Sequence, residues 1–232
     1  MGAKTKDKNL IGLLTDTHWP ELYEPEAMEW WKDWIREFRP HHVVHLGDMF
    51  NLDELSRFPK PLQLSSKLKD SVAKGREMVK DFDQFLRSFG ITWELVTGNH
   101  SDRLPKYLWR RAPELAELEC LRLVNVFEIP GDIVVHDPDQ SIIREGVLLI
   151  HGVRYAESTT TYNLRYAMSI AQGHSHRASL KMRRLPSGRV LRSAELGCLC
   201  KFDVPYCTKG LTDWCHALGY IEGGVLDIVG KE

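Results

Sequence analysis

Three short apolar runs, separated by two stretches of helical spacing, constrain this chain more than any other feature. The runs are NLIGLLT at 9–15, HHVVHL at 41–46 and ITWELVT at 91–97. Each is short and rich in branched apolar residues, which predicts buried strands. Between the first two, residues 24–38 set Met28, Trp31, Trp34, Ile35 and Phe38 at helical intervals, with Pro25 in the first turn and Pro40 past the end. Between the second and third, residues 69–89 repeat the pattern with Val72, Met78, Val79, Phe82, Phe85, Leu86 and Phe89, and Gly90 closes it. This alternation predicts an α/β layered core with a largely parallel sheet. Right-handed crossovers bring the strand ends to one edge, where ligands of such sheets bind.

Beyond Gly98 the sequence predicts a helix over 105–118, strands in DIVVH and GVLLIH, and a helix over 158–169. SIAQ is a further short run that stops at a glycine. ASLKMRRL, RVLRSAEL and HALGYIEGGVLDIVG read as antiparallel strands, with turns at Pro186-Ser187-Gly188 and Gly223-Gly224. No internal repeat or low-complexity linker divides the 232 residues, so one domain spanning 1–232 is expected. Residues 51–90 are long for a connection between strands and read as a lid, a substrate wall or a surface that forms a homodimer.

The strand ends carry the chemistry. The first run stops at TDTH, which offers Asp16 and His18; the second at GD, with Asp48; the third at GNH, with Asn99 and His100. GVLLI stops at His151, and SIAQ stops at GHSH, with His174 and His176. Glycine adjoins four of these five sites and permits close backbone approach to an ion or phosphate. Without His100 the set holds two carboxylates, one amide and four imidazoles. That is too many for one tetrahedral ion. It suits two adjacent ions that share a carboxylate and keep positions open for water and substrate. The imidazoles favour Mn²⁺, Fe, Zn²⁺ or Ni²⁺ over Mg²⁺ or Ca²⁺, with Mn²⁺ placed first. His136, in VVHDPD, rivals His151, but His151 follows the stronger apolar run and precedes a glycine. His45 is expected to be a hydrogen-bonded core residue, and His216 structural.

Composition narrows the classes. A net charge of −1 gives no general attraction to polyanions, although a local basic groove stays open. No run approaches the length of a membrane span, so no membrane partner is expected. The five cysteines are Cys120, Cys198, Cys200, Cys207 and Cys215, an odd count that points to a reducing, cytoplasmic setting. The last four lack the paired C-x2-C of a zinc knuckle and read as free, mostly buried thiols.

The ordered set D-x-H, GD, GNH, H, GHxH, spread over residues 16–176, resembles the calcineurin-like metallophosphoesterases. The resemblance implies an α/β fold, a four-layer α-β-β-α sandwich with mixed sheets, around a dinuclear site. It implies that Asp16, His18 and His176 hold one divalent transition-metal ion, that Asn99, His151 and His174 hold the other, and that Asp48 bridges them. His100 is implied to lie beside the scissile phosphate, where it protonates the leaving oxygen or stabilises charge. There are departures. Ser101 and Asp102 follow GNH, where the family often has an acidic residue at once. Asn51 stands where an aspartate often orients the catalytic histidine. His100, Asn51 and Asp102 are therefore the candidate catalytic group.

The implied reaction is hydrolysis of a phosphate ester by a hydroxide bridging the metals. A phosphodiester in nucleic acid or a nucleotide is the favoured substrate, because the pattern also resembles the nuclease branch of the family. Phosphomonoester hydrolysis is the alternative, although GDMFNLDE and GNHSD lack the GDxxDRG and GNHE extensions of the protein-phosphatase branch. A non-enzymatic metal-binding scaffold is the third reading. Arg103, Lys106 and Arg110 fall near one helix face and are candidates to receive phosphates. Trp19 and Tyr155 are candidates to stack a base at the rim.

Overall fold

A computed structural model of the chain describes residues 7–57, 68–137, 140–152, 166–204 and 212–231. Tyr155, Cys207 and residues 158–165 of the helix expected over 158–169 lie outside the described residues, and Ser169 opens a strand.

Strands β1 (Asp7–Leu14), β2 (Pro40–His45), β3 (Thr92–Val96) and β4 (Val134–His136) run parallel in one sheet. β10 (Ala217–Glu222) and β11 (Val225–Gly230) extend it antiparallel, in the order β11-β10-β1-β2-β3-β4. A second sheet has the order β5-β6-β7-β9-β8, from β5 (Ile142–Arg144), β6 (Val147–Ile150), β7 (Ser169–Gln172), β8 (Ala178–Arg184) and β9 (Val190–Leu196).

The apolar runs carry little polar alternation because both faces of the first sheet are covered. Leu10, Leu14, Val43, Trp93 and Leu95 face helices α1 (Pro25–Phe38) and α2 (Leu68–Ser88) in one core. Their neighbours Ile11, Leu13, Val44, Leu46 and Val96 face the second sheet, against Val147, Leu149, Ala171, Ala194 and Leu196. Each such Val, Leu or Ile side chain removed from water contributes about 1.5–3 kcal/mol. The described residues thus form a helical layer and two mixed sheets of the expected sandwich. None of their helices is long and apolar enough to cross a membrane.

Two expectations change in detail. Phe38 is exposed and stacks on Trp34 at the end of α1 instead of joining the core. The helix after GNH, α3, spans Arg103–Arg111 and stops before Pro113, because Ala112 cannot stay helical ahead of a proline. Within 51–90, α2 packs one face into the core through Val79, Phe82 and Leu86. Residues 58–67 lie outside the described residues.

Candidate metal centre

The parallel ends of β1, β2 and β3 meet those of β6 and β7 along one edge. Main-chain bonds fix the crossing loops: Asp16 N–H donates to the Gly47 carbonyl (3.0 Å), His18 N–H to that of Asp48 (3.0 Å) and Gly173 N–H to that of His151 (3.0 Å). Asp16, His18, Asp48, His174 and His176 all have left-handed backbone, with φ between 47° and 68°. Non-glycine residues reach that region at a cost, and such positions cluster at functional sites. Here the loops bend at the ligand-type residues themselves and turn their side chains to a common centre. The glycines beside them make room. A Cβ on Gly98 would lie 2.1 Å from Asp48 Oδ1, and one on Gly47 would lie 2.3 Å from His151 Nδ1.

All seven expected ligand residues come together. His18 Nε2 and His176 Nε2 are 3.2 Å apart, and both approach Asp16 Oδ1, at 3.6 and 3.1 Å. His151 Nε2 lies 3.1 Å from Asp48 Oδ2 and 3.1 Å from Asn99 Oδ1. Asp48, His151 and His174 form a cluster of donor atoms able to hold a metal, and Asp48 also joins His18 and His100 in another. Each carboxylate divides its work. Asp16 Oδ2 accepts from Thr15 Oγ1 and the His174 main chain, which leaves Oδ1 for the centre. Asp48 Oδ1 accepts the His100 main-chain N–H, which leaves Oδ2. His151 Nδ1 donates to the Leu46 carbonyl (2.7 Å), so its Nε2 lone pair also points inward.

The donor set fits divalent ions. Lone pairs from buried imidazoles and carboxylates face one another at 3.1–3.6 Å. That spacing suits atoms that share an ion with metal–ligand bonds of about 2 Å. The titration of the site says the same. Burial pushes the Asp16 carboxyl up, yet His176 and His18 beside it hold it well below the usual range. Asp48 is likewise held low against burial, mainly by His151 and His100. In return, and against burial, Asp48 lifts His151 to about 9, and Asp16 lifts His176 well above the imidazole range. Two carboxylates therefore stay charged and draw protons onto two imidazoles, where cations would displace those protons.

His100 is held at three atoms. Besides its main-chain bond to Asp48, Nδ1 donates to the Asn51 carbonyl (2.8 Å), and Nε2 accepts from Arg103 Nη2 (3.0 Å). Burial, together with His18 and the Arg103 guanidinium, holds its pKa down at about 3 despite Asp48. The ring is neutral at physiological pH, with its proton on Nδ1. The orienting group is thus the Asn51 main chain. The Asn51 side-chain amide is buried and meets neither His100 nor any other hydrogen-bond partner among the described residues, which corrects the role expected for it.

Two further expectations are corrected. The Asp102 carboxylate pairs with Lys106 Nζ on the next turn (2.7 Å) and leaves His100 alone, because the turn into α3 points it outward. Trp19 is 2% exposed and packs edge-on against Phe82 in the core, so it offers no face to a base at the rim. His136 binds Glu94 (2.8 Å), away from the centre, and His45 is buried against Thr17 Oγ1 (3.1 Å). Thr15, which steadies Asp16, is a site residue that no motif in the sequence marked. Cys198 and Cys200 are free and buried where β9 ends, as expected of those thiols.

Asn99 is exposed on the open side of the centre. It lines a cavity of about 270 Å³ together with Arg57, Arg103, Lys106, Tyr107 and Arg110. Arg103 is anchored there by Asp53 (2.5 Å) and the Asn51 carbonyl (2.7 Å).

The model of the calcineurin-like phosphoesterase family matches residues 10–180. The chain is 28% identical to the Gene 54 protein of Mycobacterium phage L5, over 77% of this chain and 75% of that one. It is 27% identical to the Gene 54 protein of Mycobacterium phage D29, over 81% and 78%. Among solved structures, a dimetal phosphatase from Danio rerio aligns with a TM-score of 0.49 at 11% identity, over 97% of this chain and 96% of that one.

Proposed function

This chain belongs to the calcineurin-like phosphoesterase family and is a metal-dependent phosphoester hydrolase, and from that premise we propose that it cleaves phosphodiesters in nucleic acid. One observation carries the choice of substrate. The cavity beside Asn99 is lined by four cationic side chains, Arg57, Arg103, Lys106 and Arg110. A small monoester has one phosphate to place. A polynucleotide offers further phosphates on either side of the scissile one, and arginine binds them with two parallel bonds. Tyr107, in the same cavity, gives a face on which a base can stack.

In this reading Asp16, His18 and His176 hold one divalent ion and Asn99, His151 and His174 the other, with Asp48 between them. Ions held there lower the pKa of water and neutralise phosphate oxygens. The protein does the rest. Left-handed loops and buried hydrogen bonds fix the ligands before substrate arrives, so little reorganisation remains. Arg103 and His100 form one unit at the mouth. Arg103 donates to phosphate oxygens and stabilises the charge that develops there, and His100 orients it. With Nδ1 donating to the Asn51 carbonyl and Nε2 accepting from Arg103, the neutral His100 ring has no proton to give the leaving oxygen.

Metal-stripped protein reloaded with Mn²⁺ or Zn²⁺ and offered bis-p-nitrophenyl phosphate and p-nitrophenyl phosphate tests the reading, with Asn99→Ala as control. Diester turnover that the control loses, with cleavage of single- or double-stranded oligonucleotides, is expected. Monoester turnover alone overturns the diester reading.

A further inference from the structure

β8 and β9 form a hairpin at one edge of the second sheet, in register from Ala178 opposite Leu196 to Arg184 opposite Val190. Residues 177–194 hold six cations, Arg177, Lys181, Arg183, Arg184, Arg189 and Arg192, and no carboxylate, in a chain of net charge −1. Two of them are neutralised from outside the hairpin. Arg177 pairs with Asp213 (2.6 Å) and Arg192 with Asp227 (3.1 Å). Lys181, Arg183, Arg184 and Arg189 are exposed. Among the described residues no carboxylate pairs with Arg183, Arg184 or Arg189.

An edge strand carries charge to keep another strand from adding to it. Charge of either sign does that, and mixed signs would also attract one another along the edge. Here the sign is uniform. Side chains alternate between faces, so Lys181 and Arg183 share one face about 7 Å apart. Arg189, whose carbonyl accepts from Leu185 N–H (2.8 Å), falls beside them at the turn. Like charges gathered so closely cost stability, and a polyanion lying across them removes that cost. Five of the six cations are arginines, which grip phosphate with two parallel bonds.

The hairpin starts at the metal centre and runs away from it. Ala178 is two residues past His176, and Arg184 stands about 20 Å further along the strand. It also lies on the flank opposite α3. Arg144 of β5 bonds Glu94 of β3 (2.7 Å), and Arg192 of β9 bonds Asp227 of β11 (3.1 Å). The β3 side of the first sheet, from which α3 follows, therefore overlies β5, while the β11 side overlies β9 and the hairpin. We propose that the tip of the β8–β9 hairpin grips the backbone of the nucleic acid on the far side of the metal centre from α3. The proposal rests on the nucleic-acid reading above and gives that substrate a second contact. A duplex advances about 3.4 Å per base pair, so the tip meets it about six base pairs beyond the scissile phosphate. An anionic membrane is the other extended polyanion. It fits less well, because the hairpin has no Trp or Phe to enter a bilayer, and its exposed large apolar side chains are Met182 and Val190.

Fluorescence anisotropy of labelled phosphorothioate DNA duplexes, which keep the charge and resist cleavage, tests this on the full-length protein across a salt series. A duplex of about 24 base pairs reaches from α3 past the hairpin tip, and one of about six base pairs does not. Wild type is expected to bind the long duplex more tightly. The combined Arg183→Ala, Arg184→Ala and Arg189→Ala variant is expected to shrink that advantage by about tenfold or more and to lower the salt slope for the long duplex by about three. Lysines at the same three positions are expected to keep the slope, since the charge is kept. An unchanged length advantage and slope overturns the hairpin contact and leaves nucleic-acid cleavage standing. So does tighter binding of wild type to phosphatidylserine vesicles than to DNA, lost in the alanine variant. If wild type neither binds nor cleaves oligonucleotides, both readings fall.

Discussion

Asp48 and His100 are joined in two ways. The His100 main-chain N–H donates to Asp48 Oδ1 at 2.9 Å, and the His100 ring Nε2 lies 3.9 Å from Asp48 Oδ2. One carboxylate therefore anchors the turn that displays Asn99 and sets the electrostatic environment of the ring beside the proposed phosphate position.

Gly98 is the residue on which that relationship depends. Its added Cβ would fall 2.1 Å from Asp48 Oδ1 and 2.6 Å from the Asp48 main-chain nitrogen, which is backbone and does not yield cheaply. Gly98→Ala is expected to displace Asp48 and to lose hydrolysis by about 10²-fold or more. Metal content per chain, measured with the circular dichroism of the same samples, checks it: the ions are lost while the helices remain.

Arg103 adds to burial and to His18 in keeping His100 neutral. Arg103→Ala removes a positive charge at 3.0 Å from Nε2, so the His100 pKa is expected to rise from about 3. A histidine ring titration by NMR on metal-free protein reads the shift. Turnover of the diester is expected to fall by about 10²–10³-fold, the scale for loss of one preorganised donor. An unmoved His100 titration would mean that burial alone sets it.

Asp102 is expected to matter little. Its carboxylate serves an exposed i, i+4 pair with Lys106, the kind worth about 0.3–0.5 kcal/mol. Asp102→Asn should keep diester kcat within about threefold of wild type. A large loss would restore the catalytic place that the sequence suggested.

Arg110 separates long substrates from short ones. Arg110→Ala is expected to raise KM for oligonucleotides, to lower the salt slope of their binding by about one and to leave bis-p-nitrophenyl phosphate turnover unchanged. Binding measured across a salt series, beside the small-substrate assay, decides it.

Glu94 gives a pH signature remote from the metal centre. Burial raises its carboxyl, but bonds from His42, Arg144 and His136 outweigh that and hold it at about 2. A carboxyl with a depressed folded pKa stabilises the fold above its unfolded value of about 4.3 and loses that contribution as pH falls toward 2. Denaturant melts of wild type between pH 5 and pH 2 should show a loss on the order of 2 kcal/mol that Glu94→Gln does not show.

The local order of this chain was legible because period alone encodes it. Trp31 and Ile35 mark a helix and Val43 and Val44 a strand whatever lies around them. The ligand types were legible for a related reason. A strand must end where its apolar run ends, and Asp16, Asp48, Asn99, His151 and His174 stand at those ends. What the sequence could not show is direction. Asn51 and Trp19 had suitable chemistry and position along the chain, yet Asn51 turns only its carbonyl to His100, and Trp19 faces Phe82. Nothing in the spacing of the cysteines placed Cys200 near the histidines, yet the parallel pairing of β9 with β7 brings its sulfur to 4.0 Å from His176 Nδ1. The sequence by itself determined the alternation of strands and helices and the donors at the strand ends, since both are written in nearest-neighbour spacing. Only the tertiary structure decided which side chains face one centre, because that depends on sheet order, left-handed loop residues and contacts between positions as far apart as Asp16 and His176.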